Sequence, residues 1–351
     1  MGSFELLPEL LAALFTQKEL RRFLHFGPDG ARVVDSLDFD DARTEVAYQA
    51  AELLRRMGLV NRAFFERLRE QRSARSVEID AVASALLGSA RSTEEMATHV
   101  IVLEAAIAGQ VSAIDDGQIK AALGECREVG RLPLDLHDLT AEPANDATWS
   151  EGQTRIQTGV QEFLRTTVLP SQVRHVSVFG LAPIPWLMAL GYALSETVEA
   201  RVHQRLRVPS TWSWQPHVPE LGSWQTRAVA TEPDARDVAV LLSVSARVQL
   251  PRVDEALSPM GRATYELSLE APALDAVRSV EQLEAFGQAY RALLVRIERE
   301  QPKIECLHIF TAAPVAVAIE CGRRILHNAD PPVVAYHFHE RRYLRALELR
   351  P

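Results

Sequence analysis

Cysteine is scarce in this sequence, and the three present stand far apart. Cys126, Cys306 and Cys321 form no CxxC pair and leave an odd thiol, which excludes a disulfide scaffold and points to a reducing compartment. Long apolar runs are also missing: the most apolar later stretch, HVIVLEAAIAG, is interrupted by Glu104. The start, MGSFELLPELL, lacks the charged end and continuous apolar core of a signal peptide, so the expected location is the cytoplasm. Positive charge is in deficit, with a formal net charge of -9, which argues against long DNA or RNA as the main partner while leaving room for a small anionic ligand. Catalytic motifs are lacking too, with no P-loop, no HExxH and no GxSxG. His337 and His339 share a strand face but have no evident third metal ligand, so no metal is expected. Cys306 and His308 also share a face, on an apolar strand that buries a thiol rather than activating it. Asp40-Asp41 and Asp115-Asp116 suit helix starts and turns better than a nuclease metal site.

What is present is apolar content in quantity: 47% hydrophobic and 24% charged residues over 351 positions suit a folded protein of about two or three domains. From Phe4 to about Leu87 every periodic segment is helical. Leu7, Leu10, Leu11 and Leu14 recur at helical spacing; Thr16 with Glu19 makes a capping box for a second helix ending near Phe26-Gly27-Pro28. A longer helix is expected from Asp41 to Met57, stopped by Gly58. Asn61 can cap a helix with Phe64, Phe65 and Leu68, and Ser76 precedes another with Ile79, Val82 and Leu86, giving five or six helices without visible chemistry. Within this region LLPELLAALFTQKELRRFLHF and AYQAAELLRRMGLVNRAFFERL resemble the bacterial death-like, or effector-associated, domains of prokaryotic immune systems. That resemblance covers about residues 1–90 and implies a homotypic adaptor that docks onto a matching domain of another protein. Residues 91–130 read as a helical connector, opened at Ser92-Thr93-Glu94-Glu95 and carrying Val100, Val102, Leu103 and Ile107. A short strand at Leu132 to Leu136 and a loop from His137 to Thr148 follow.

The remainder, 131–351, contains a repeat. FGLAPIPWLMALG at 179–191 and FTAAPVAVAIECG at 310–322 share one layout of Phe, Ala-Pro and Gly. Upstream of each lies a helix, opened by Ser150 with Gln153 or by Ser279 with Gln282, and ending before Pro170 or Pro302. Between helix and motif come the buried strands HVSVF and CLHIF; after the motif, strands are expected to start at Val202 and Val333. The order helix, strand, loop, helix, strand occurs twice, so two tandem α/β halves are expected, about 131–250 and 251–351. Pro183 and Pro314 suit the first turn of helices at the carboxyl ends of parallel strands, where backbone N–H groups attract phosphate. Gly180, Ala182, Ala312 and Ala313 would let a ligand approach, while Gly191 and Gly322 would allow close packing on the sheet.

HVSVFGLAPIPWLMALGYAL, TWSWQP, DVAVLLSVSA, CLHIFTAAPVAVAIECGRRIL and VVAYHFHERRYLRALEL resemble the SAVED domain of CBASS and CRISPR-linked defence proteins. The resemblance implies two fused Rossmann-like, CARF-related halves that sense a cyclic oligonucleotide, commonly cyclic tri-adenylate, and that assemble into arrays on binding it. No cofactor is expected beyond this ligand. The fold expectation is therefore α plus α/β: a helical death-like bundle followed by a SAVED domain. Ligand contacts are assigned to Phe179, Gly180, Leu181, Ala182 and Pro183 in one half and to Thr311, Ala312, Ala313 and Pro314 in the other. Trp212 and Trp214 could stack a base or plug a core edge; Ser243 and Ser245 could bind ligand or end a strand. Arg323 could neutralise phosphate, and Tyr336 and His337 lie near a strand end. Two functions follow: a non-enzymatic sensor-adaptor that activates a separate effector such as a protease, or a ring nuclease, with His337 as the nearest proton-transfer group.

Overall fold

The computed structural model describes residues 6–350 apart from 28–29, 40, 58, 61, 73–74, 88–96, 112, 140–144, 196–197, 216–217, 219–222 and 258–260. Pro28, Asp40, Gly58, Asn61, Pro143 and the segment Ser92 to Glu95, assigned above to turns, stops and caps, lie outside the described residues. The chain divides into two compact units, Met1–Glu94 and Glu95–Pro351.

Six helices make up the described part of the first unit: α1 (Leu6–Leu14), α2 (Gln17–His25), α3 (Gly30–Asp35), α4 (Arg43–Arg56), α5 (Arg62–Gln71) and α6 (Ser76–Leu87). Thr16 caps α2, its hydroxyl accepting from Glu19 N while the Glu19 carboxylate accepts from Thr16 N, the reciprocal box expected from the sequence. The apolar stripe Leu7, Leu10, Leu11 and Leu14 is buried and shares one core with Val46, Ala47 and Ala50 of α4. Phe15 stacks on Phe23 at 5.0 Å, and Phe64 meets Phe23 edge-on at 5.7 Å.

The second unit holds two sheets built to one plan. Strands β1 (Ala97–Glu104), β2 (Arg127–Asp135), β3 (His175–Leu181) and β4 (Glu199–Val202) alternate with α7 (Asp116–Leu123), α8 (Asp146–Phe163) and α9 (Ile184–Leu194). These strands form a parallel sheet in the order β2-β1-β3-β4. After β5 (Trp224–Ala230), strands β6 (Asp237–Ser243), β7 (Arg262–Leu269), β8 (Cys306–Ala312) and β9 (Val333–His339) alternate with α10 (Leu250–Leu257), α11 (Val280–Glu300) and α12 (Val315–Arg323). They form the parallel core β7-β6-β8-β9 of a second sheet, edged by antiparallel β5 and β10 (Arg342–Leu349). Strand for strand, β1-α7-β2-α8-β3-α9-β4 corresponds to β6-α10-β7-α11-β8-α12-β9, so both halves are Rossmann-like.

The repeat therefore extends further upstream than the Ala-Pro motif indicates. Ala97–Glu104 is a central strand, buried along nearly its whole length, not part of a helical connector, and the first half begins there instead of at residue 131. Thr98, Val100, Ile101 and Val102 are β-branched and the apolar run is short, which favours a strand buried on both faces. The second half correspondingly begins at β6, near Asp237. Two smaller expectations also shift. Asn145, accepting from Thr148 N, caps α8, so Ser150 lies inside the helix. Ser279 caps α11 as expected, accepting from Gln282 N. Strand β4 ends at Val202 rather than starting there, though His203 N still reaches Val178 O at 2.8 Å.

The large core fills the space between the sheets. It takes Ile101, Val176 and Val178 from one sheet, Val238, Val240 and Ile309 from the other, and the buried sides of α8, α9, α11 and α12. Each sheet's other face has a smaller cluster, Val100, Val102 and Phe179 under α7, and Ala239, Leu241 and Phe310 under α10. At the centre α9 crosses α12 at the two repeated glycines. A Cβ on Gly191 would sit 1.8 Å from Ile319 O, and one on Gly322 would sit 2.0 Å from Met188 O. Both glycines thus serve helix-on-helix contact between the halves, not packing of a helix on its own sheet.

Candidate functional site

In the order β2-β1-β3-β4, the chain leaves β1 to one side and β3 to the other, so a crevice opens at their carboxyl ends; β6 and β8 repeat the arrangement. Backbone bonds frame both crevices in the same way. Ala105 N donates to Leu181 O at 2.9 Å, and the corresponding Val244 N donates to Ala312 O at 3.0 Å, joined there by Ser245 N at 2.7 Å. The last side chain of each first strand then ties down the following loop: Glu104 accepts from Ile114 N, and Ser243 Oγ accepts from Val248 N at 3.0 Å. The two mouths adjoin. Gln204, just beyond β4, accepts from Ala316 N at the start of α12 at 2.9 Å, and a Cβ on Gly180 would lie 3.8 Å from Val315 Cγ1.

The two helix starts differ as anion sites. Pro183 and Pro185 have no N–H, and Trp186 N returns to Pro183 O at 3.0 Å, so Ile184 supplies the only other amide of α9's first turn. On α12 every residue after Pro314 carries an amide, and the Gln204 carbonyl occupies the one at Ala316. The α12 mouth is therefore the better phosphate acceptor, an asymmetry hidden by the shared Ala-Pro motif.

The assigned residues separate into groups. Leu181, Ala312, Ala313 and Ser245 are half-buried at the mouths, with Ala182, Pro183 and Pro314 buried beside them. Gly180 is occupied by packing, since a Cβ there would approach Leu187 Cδ2 to 2.6 Å; Thr311 is buried at the corresponding position. Phe179 and Trp212 are core: Trp212, 1% exposed, meets Phe179 edge-on at 5.7 Å on the α7 side of the sheet. Trp214 instead packs against the large core and donates Nε1 to Val202 O at 3.1 Å. The two indoles do not share a face, because residues 211–215 bend and lose the two-residue period of a strand.

Ser243 is buried and donates to Glu266 Oε1 at 2.6 Å. Glu266 is itself held by Arg227 Nε at 2.7 Å, with Arg247 Nη1 at 3.6 Å. Arg323 is not a spare cation: Arg323 Nη1 and Arg324 Nε grip the buried carboxylate of Glu320 at 3.0 and 2.7 Å. Tyr336 stacks on Phe310 at 4.2 Å and shares a hydrogen bond with His308 Nδ1 at 3.1 Å, so it faces the α10 cluster. His337 is buried with its ring 5.2 Å from that of Trp149. The sequence reading missed Gln204 and its neighbour His203, which stacks on Phe179 at 4.3 Å. Burial pushes the pKa of His203 down to about 4. Burial likewise raises Cys306 to about 11, which leaves a thiol poorly suited to nucleophilic attack.

No curated protein matches the chain. Among solved structures it is similar to an Acinetobacter baumannii Cap4 SAVED/CARF-domain containing receptor with the cyclic trinucleotide 3'3'3'-cAAA, at TM-score 0.52 and 13% identity over 95% of this chain. The same receptor with 2'3'3'-cAAA matches at TM-score 0.50 and 12% identity over 95% of this chain. In both comparisons the chain spans 65% of the receptor's length, and the likeness is one of fold. The family model for the SMODS-associated and fused to various effectors sensor domain, SAVED, matches residues 156–349, more than half the chain. The chain belongs to the SAVED family.

Proposed function

We propose that this protein is a cytoplasmic sensor-adaptor of antiphage signalling that binds a cyclic oligonucleotide, with cyclic tri-adenylate favoured, across its two adjoining mouths. The observation that carries this reading is the Gln204-to-Ala316 hydrogen bond, which sets the carboxyl end of the first half against the helix start of the second. A ring presenting several phosphates suits two adjacent crevices better than one. The α12 amides and the half-buried Ala312 and Ala313 meet its backbone, and Leu181 and Ser245 line the approach. The Cap4 receptor's complexes with cAAA support the ligand class. A ring lying across two mouths leaves one face exposed, and a second copy covering that face binds only the liganded form, so ligand drives assembly. The helical unit, read as a death-like domain, is thereby clustered and presented to a separate effector, such as a protease carrying a matching domain.

A thermal-shift series with cyclic di-, tri- and tetranucleotides tests the site. One of them at 100 times its dissociation constant stabilises by about 2.7 kcal/mol. Ala313→Trp abolishes that shift while leaving the unliganded transition in place. Indifference to every ring removes the reading, and normal binding by Ala313→Trp removes the placement.

A further inference from the structure

At the opposite, amino end of the second sheet, Asp237, Cys306 and His308 bring a carboxylate oxygen, a thiol sulfur and an imidazole nitrogen within 4.8 Å of one another. We propose that these three residues bind one divalent cation of the Zn2+ class. Asp237 and Cys306 are register partners on the adjacent central strands β6 and β8, and His308 follows Cys306 on the same face two residues later. The donors thus stand on two paired central strands. Tyr336 Oη lies 3.1 Å from His308 Nδ1 and fixes the ring, while Nε2 faces Asp237 Oδ1 at 3.0 Å. Tetrahedral zinc with bonds of about 2.0 Å separates nitrogen and oxygen ligands by about 3.3 Å, so a cation replacing the shared proton needs only a small side-chain movement. The Asp237 side chain is 29% exposed and Cys306 is half-buried, which provides an entry path and a fourth position for water.

The first half supplies an internal control. By strand register, Thr98, His175 and Ser177 occupy the places of Asp237, Cys306 and His308. There Thr98 Oγ1 lies 2.8 Å from His175 Nδ1 and 3.0 Å from Ser177 Oγ, so hydroxyls and one ring satisfy each other. Structural needs at this place are therefore met by hydroxyl hydrogen bonds. The second half instead has a thiol, which donates weakly to Leu307 O at 3.8 Å, together with a carboxylate and an imidazole. Sulfur, nitrogen and carboxylate donors together suit Zn2+ or Co2+ over Mg2+ or Ca2+. The cation displaces the thiol proton and bridges β6 to β8, far along the strands from the mouths, so its role is to staple the second sheet.

Co2+ titration of the full chain after chelator treatment tests the site. One equivalent should give a near-ultraviolet thiolate-to-cobalt band and the strong visible absorption of a four-coordinate ion, both erased by Zn2+. Cys306→Ser should lose the ultraviolet band, Asp237→Asn should keep it with affinity weakened about tenfold or more, and Tyr336→Phe should keep it with affinity weakened about tenfold. Cys126→Ser should change nothing. Absence of the band at one equivalent, its survival in Cys306→Ser, or unchanged affinity in Asp237→Asn overturns the proposal.

Discussion

The two α/β halves share strand order, helix order and even the backbone bonds at their crevices, yet their polar residues have been put to different uses. Where the first half places Glu104 on a loop amide, the second places Ser243, backed by Glu266 and Arg227. Where the first stacks the imidazole of His203 on Phe179, the second stacks the phenol of Tyr336 on Phe310 and ties it to His308. The first half opens α9 with two prolines, whereas the second opens α12 with amides, one of them capped by Gln204 from the first. The lesson is that duplication preserved the packing frame while the side chains at equivalent positions diverged. The two mouths are therefore similar in frame and unequal in chemistry.

The frame itself gives the largest expected effect. Gly191→Ala and Gly322→Ala each place a methyl group against the backbone of the opposing helix, so each should cost about 3 kcal/mol in denaturant unfolding. Comparable losses support a shared crossing; tolerance at one glycine breaks the equivalence.

Next comes acid sensitivity, which should belong to the first half. His203 has its folded pKa depressed to about 4 by burial, so the folded state holds it neutral while the unfolded chain protonates it below about pH 6.5. Its contribution is present above pH 6.5 and is lost as pH falls towards 4, by about 3 kcal/mol in all. His203→Phe, which keeps a ring on Phe179 as Tyr336 does on Phe310, should flatten that part of the stability profile. A profile unchanged by the substitution assigns the acid sensitivity elsewhere.

The smallest effect is at the junction. Gln204→Ala removes the acceptor of Ala316 N and should lower stability by about 1 kcal/mol, read from the urea midpoint at constant m-value. No change would mean that water replaces the amide without loss.

Much of the fold was legible because β3-α9-β4 and β8-α12-β9 kept their apolar and Pro-Gly spacing. The upstream part, β1-α7-β2, was not, since Val100, Leu103 and Ile107 also fit a helical period and only tertiary burial on both faces decides for a strand. The mouths were placed from the Ala-Pro motif, but side-chain roles depended on partners far apart in sequence. Trp212 stays open between base stacking and a core edge until Phe179 is seen against it, and Ser243 between a ligand contact and a strand end until Glu266 is. Arg323 was recoverable: Glu320 stands three residues before it and four before Arg324, a spacing that pairs charges along one helix face. Pro185 was visible as well, and its missing N–H already weakened the phosphate reading of α9.

The most direct measurement is an isothermal titration of the full chain with cyclic tri-adenylate, with light scattering on the same samples. Two adjoining mouths that share one ring predict one ligand per chain and a rise in mass that follows saturation. Two ligands per chain would show that the halves act as separate sites, and no binding of any cyclic oligonucleotide would contradict the account.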